Sequence, residues 1–133
     1  MTKHNIYIDK YDWLVRVYLN AEKNDSREIL ECMKDCGCNR AEIMRARRNL
    51  NGSINNGICF SNYKERMSVL VIGKTDSARE FLDSLVHETM HLSIHIASED
   101  DIDLRSEEVC YIGGDIAREL YLYCKQYLCC RCH

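Results

Sequence analysis

SAREFLDSLVHETMHLSIHIA, residues 77–97, is the stretch on which the reading of the chain turns. Ser77, or Asp76 before it, is a helix-capping residue type standing ahead of a run with no glycine or proline. Phe81, Leu82, Leu85, Val86, Met90, Leu92, Ile94 and Ile96 recur on several sides, so the spacing predicts a long, largely buried helix. Inside it stands His87-Glu88-Thr89-Met90-His91, an HExxH pattern. Residues four apart on a helix lie about 40° apart around the axis and one turn along it, so both imidazoles can reach one metal ion. Glu88 lies on the neighbouring line, within reach of a water on that ion. Buried imidazoles and a buried carboxylate need partners, and a divalent cation supplies one.

A catalytic zinc takes three protein ligands and keeps a fourth position for water, so a third donor is expected. His95 shares the face of His91, but helix rise puts it about 12 Å along the axis from His87, too far for three histidines of one straight helix to share an ion. It reads instead as a neighbour of the cleft. Past an acidic loop (Glu99, Asp100, Asp101, Asp103) the pattern predicts a second long helix from about Arg105 to Tyr127. Its first turn offers two adjacent carboxylates. Glu107 shares a side with Cys110, Gly114 and Tyr121, small enough in places for close helix approach, whereas Glu108 shares its side with Asp115 and Glu119. Glu107 is the expected third ligand and Glu108 the alternative.

Working back toward the amino terminus, Gly57 to Tyr63 and Arg66 to Ile72 are two extended segments joined by a short polar connection, a hairpin pattern. Asn39 to Leu50 and Arg27 to Cys36 have helical spacing, the latter stopped by Gly37, and Trp13 to Leu19 is strand-like. Strands and short helices, then a hairpin, then two long helices make an α+β plan. With 133 residues, no proline and no linker, residues 1–133 read as one domain with a cysteine-rich tail, 124–133.

At 46% hydrophobic and 29% charged residues the composition is that of an ordinary globular protein, and a net charge of -3 gives no electrostatic footprint for nucleic acid. The basic run Arg40, Arg45, Arg47, Arg48 is interrupted by Glu42 and reads as a solvated helix face. No stretch approaches a membrane span, and charge interrupts the amino terminus before a signal-peptide core could form, so a cytoplasmic location is expected. In that reducing setting the nine cysteines read as buried thiols or metal ligands rather than a disulfide framework. They group as Cys32/Cys36/Cys38 and as Cys124/Cys129/Cys130/Cys132 beside His133, the second group able to hold a soft metal or to fold back onto the zinc.

His87-Glu88-Thr89-Met90-His91 followed by Ser106-Glu107-Glu108-Val109-Cys110-Tyr111-Ile112-Gly113-Gly114-Asp115 resembles the gluzincin metallopeptidases, especially their minimal single-domain microbial and phage-associated versions. It is similar as well to the ImmA/IrrE-type regulatory peptidases, which act on a protein partner. The resemblance covers about Arg66 to Tyr121. It implies a zincin-like domain and a zinc-dependent peptidase, with Zn2+ on His87, His91 and Glu107, Glu88 as general base, and a peptide or protein as substrate. By position it makes Arg66 to Ile72 the edge strand that pairs with substrate. A donor to the oxyanion is needed too, for which Tyr111, Tyr63 and His95 are candidates, Tyr111 being the one assigned. Tyr111 and Ile112 stand where many gluzincins carry an aspartate four residues past the ligand. The alternative reading is a non-catalytic, zinc-stabilised interaction module.

Overall fold

The computed structural model describes residues 1–52 and 57–129. Four strands form one sheet: β1 (Thr2–Ile8), β2 (Trp13–Ala21), β3 (Ile58–Asn62) and β4 (Met67–Gly73). Four helices cover it: α1 (Ser26–Asp35), α2 (Arg40–Asn51), α3 (Ala78–Glu99) and α4 (Glu107–Cys124), with short 3-10 turns at Asp9–Tyr11, Lys23–Asp25 and Lys125–Leu128. The architecture is α+β. None of the described helices is long and apolar enough to cross a membrane.

The strand order is β1-β2-β4-β3, with β1 antiparallel to β2, β2 parallel to β4, and β3 antiparallel to β4. Because β2 and β4 are parallel neighbours, everything from α1 to β3 lies in the connection between them. Alternation along the strands sends side chains to two cores. Trp13, Val15, Val17 and Leu19 of β2, with Leu70 and Ile72 of β4, pack beneath α3 and α4, against Phe81, Leu92, Ile96, Ile112, Ile116 and Leu120. Tyr18, Val69, Val71 and Ile58 face the other way, onto Ile29, Met33, Ile43 and Leu50 of α1 and α2. Covered on both faces, β4 has the near-continuous apolar run Val69-Leu70-Val71-Ile72 expected of a central strand.

This corrects one expectation. The strand beginning near Arg66 is interior, and the edge beside the helix carrying the histidines is β3. A strand was missed as well: in β1 only Ile6 and Ile8 are buried, while Lys3, Asn5 and Tyr7 alternate out to solvent, so its apolar signal is confined to one end.

The helix starts follow the capping residues. Ser77 Oγ accepts from Glu80 N at 3.1 Å to open α3, and Asn39 forms a reciprocal box with Glu42 to open α2, at 2.9 and 2.8 Å. Gly37, after α1, takes φ +95°, a left-handed conformation that favours glycine. The last helix is shorter than its periodicity suggests, ending at Cys124 and tightening into the 3-10 turn.

Candidate metal and catalytic cleft

α3 packs on β3 and β4, whereas α4 packs beside it toward β1. One flank of α3 therefore overhangs the free edge of β3, and there it faces α2 across a cleft of about 620 Å³. Asp83, His87, Glu88, His91 and His95 line it from α3, Gly57, Cys59 and Phe60 from β3 and its approach, and Glu42, Arg45 and Asn49 from α2. Asn49 Nδ2 donates to Gly57 O at 3.2 Å, tying α2 to the start of the strand.

The structure brings His87, Glu88 and His91 together, but of the three only Glu88 is buried: both imidazoles are exposed, as are Leu82, Val86, Met90 and Ile94, so the expectation of a largely buried helix with buried histidines is not met. Nε2 of His87 and Nε2 of His91 are 3.1 Å apart, with the rings edge to face and their centroids 4.8 Å apart. Two nitrogens bound at about 2.0–2.1 Å to one tetrahedral zinc stand roughly 3.3 Å apart, so these two ring nitrogens stand at nearly the separation of a shared ion. The same separation also allows a hydrogen bond from one ring to the other.

Glu88 is 6% exposed, and burial pushes its carboxyl above the usual carboxylate range, opposed by the neighbouring His87 and His91. The side chain fits because residue 57 is glycine: a Cβ there would stand 2.4 Å from Glu88 Cγ and 2.7 Å from both Glu88 Oε1 and the Val71 carbonyl oxygen. Gly57 was legible only as a strand boundary, since nothing local in the sequence signals what packs on it.

The second helix does not complete the site. Ser93 Oγ donates to Val109 O at 2.7 Å, and Gly113 is the α4 residue against Ser93. Ser93 is about 200° around α3 from both His91 and His95, so α4 packs on the flank turned away from the cleft. Glu107 and Tyr111 are exposed, Tyr111 at 63%, and neither lines the cleft. Glu108 accepts a hydrogen bond from the Tyr11 hydroxyl at 3.1 Å and lies 3.9 Å from Lys10 Nζ. The expectation that Glu107, or Glu108, sits beside the two imidazoles is therefore not met. Gly114, thought to mark close approach, has nothing within 4 Å of where its Cβ would be. Among the described residues no three of His, Cys, Asp or Glu stand together as a metal cage.

Of the other candidates, His95 lines the cleft one turn beyond His91, with ring centroids 6.2 Å apart, and Tyr63 lies 5.7 Å from the His95 ring. Sequence reading did not find His95's partners on the strands: its Nδ1 is 2.7 Å from Ser61 Oγ and 3.9 Å from Cys59 Sγ.

Cys32, Cys36 and Cys38 are free thiols packed in the α1–α2 core, where burial raises Cys36 to about 11 and Cys38 to about 12, so those two carry protons at neutral pH. Cys124, the last residue of α4, is buried in the core and likewise raised to about 12. Cys130, Cys132 and His133 lie outside the described residues. Compared with family models, curated proteins and solved structures, the chain finds no match.

Proposed function

We propose that the cleft between α2, β3 and α3 is the active site of a zinc-dependent peptidase of zincin type. The observation that carries this reading is the convergence of His87 Nε2 and His91 Nε2 to 3.1 Å on the cleft side of one helix, with the buried Glu88 carboxyl beside them. Neutral imidazole nitrogen is a donor that zinc favours, and His87 and His91 would supply two of the three protein ligands a catalytic zinc takes; the described residues supply no third.

Held by His87 and His91, zinc would supply Lewis-acid polarisation of a carbonyl and lower the pKa of a water. Glu88 is the group that moves the proton. Its carboxylate takes a proton from the attacking water and returns it to the leaving amine nitrogen. β3 is the last strand of the sheet, so the backbone groups on its outer side can pair with an extended peptide laid along the cleft. Arg45, on the opposite wall, gives that peptide a cationic neighbour.

A second reading is favoured by the position of α4. With Glu107 and Glu108 away from the cleft, the described residues offer zinc two imidazoles, and a partner chain contributing the remaining ligands would close the tetrahedron as a non-catalytic site.

Glu88→Gln separates the two, since it removes the base and spares both imidazoles. On the peptidase reading the variant keeps the zinc content of the parent by elemental analysis, and hydrolysis of a peptide library falls by roughly 10² to 10⁴. Equal hydrolysis by parent and variant, or no zinc in either, would sink it.

A further inference from the structure

His95 is the end of a hydrogen-bonded row that begins in the core. Trp13 Nε1 donates to Ser68 Oγ at 2.8 Å, Ser68 Oγ is 2.7 Å from Ser61 Oγ, and Ser61 Oγ is 2.7 Å from His95 Nδ1. An indole N–H can only donate, which fixes the direction at the buried end. Ser68 is fully buried, and Trp13 and Ser61 are its Oγ partners among the described residues, so its hydroxyl hydrogen has one acceptor to go to, Ser61 Oγ. Ser61, also buried, then sends its own hydrogen to His95 Nδ1. Turning the row around would leave the Ser68 hydroxyl hydrogen inside the protein with no acceptor. Cys59, whose thiol is held protonated by burial, is 3.9 Å from the same ring nitrogen and is a weak donor toward it.

We infer that this one-way row holds His95 as the neutral Nε2–H tautomer, and that Nε2–H is the donor the cleft offers to the carbonyl oxygen of a bound peptide. With Nδ1 occupied, Nε2 is the ring nitrogen left to the cleft, one helical turn past His91. A fixed N–H aimed at the place where negative charge develops stabilises it without reorganising. Ser61, Ser68 and Trp13 are positioning residues, acting through His95. The substrate half of this inference rests on the peptidase reading; the tautomer does not.

The test begins with two-bond proton–nitrogen correlation spectra of the full ¹⁵N-labelled chain at neutral pH. The expected spectrum shows His95 protonated at Nε2 alone, and Ser61→Ala converts it to a mixture of tautomers. In kinetics, His95→Phe is expected to lower kcat about 100-fold with a smaller change in KM and unchanged zinc content. His95→Gln, which keeps an amide donor, is expected to recover part of the loss. A wild-type spectrum with the proton on Nδ1, or with both tautomers present, overturns the inference, as does wild-type kcat in a zinc-loaded His95→Phe protein. Should Glu88→Gln hydrolyse peptides as well as the parent, the peptidase reading falls and takes the substrate role of His95 with it. The spectrum still distinguishes that failure, because it reports the tautomer without any turnover.

Discussion

At Gly57 a single added methyl group would meet a side chain and a backbone carbonyl at once. The Val71 oxygen belongs to the sheet and cannot yield cheaply, so Gly57→Ala is expected to destabilise the fold by about 1–3 kcal/mol in urea denaturation and to displace Glu88. A variant as stable as the parent would mean the carboxylate is not packed there. Glu88 also gives the protein a pH signature. An unfolded glutamate titrates near 4.3, while the folded group is raised by burial, so between those two values the native state holds more proton than the unfolded chain. In chelator-treated protein, stability is therefore expected to be greatest below about 4.3 as far as this group contributes, and to fall as pH rises through its folded value. Glu88→Gln should remove that component of the pH profile, checked by denaturation series at matched ionic strength; an unaltered profile would count against the burial. Only one of these two neighbours was visible beforehand. Glu88 announced itself by its place in HExxH, whereas Gly57 carries no side chain from which a pattern could be read.

Of the two long helices, α3 was the more legible and the placement of α4 the less. α3 has a capping serine, no breaker and apolar residues on several sides, and local rules sufficed to place His87, Glu88 and His91 together. Periodicity predicted a long helix at α4, whose buried stripe in the structure is Ile112, Ile116, Leu120 and Cys124. It could not say which flank of α3 would receive that stripe, because a helix pattern specifies a face and not a partner. Glu107 and Glu108 both lie at the margins of the stripe, so the choice between them turned on small residues, and Gly113 rather than Gly114 proved to be the one in contact. The open space at Gly114 leads to a prediction for this helix: Gly114→Ala should raise stability by about 0.5–1 kcal/mol through helix propensity alone, measured by chemical denaturation. Loss of stability would show that another chain segment occupies that surface.

Over the whole molecule, the sheet order was the least accessible feature. The hairpin of β3 and β4 was readable from two extended runs and a polar turn, yet nothing in it revealed that β4 pairs with β2 on its other side. That pairing is long-range, and it is what leaves β3 as the strand bordering the cleft. The two apolar clusters on either side of the sheet follow from the alternation of β2 and β4, so the layers were implicit in the strand sequences even where the order was not.

Since α1, α2 and β3 all lie within the crossover from β2 to β4, one wall of the cleft is threaded between the two central strands. A ligand held across α2 and α3 therefore resists opening of the sheet as well as of the helices. In the Glu88→Gln protein, a saturating peptide bound in the cleft should slow amide hydrogen exchange at Val15, Val17 and Leu19 by the factor that mass action gives for global stabilisation. Slowing confined to the α3 amides would indicate instead that the wall and the sheet breathe independently.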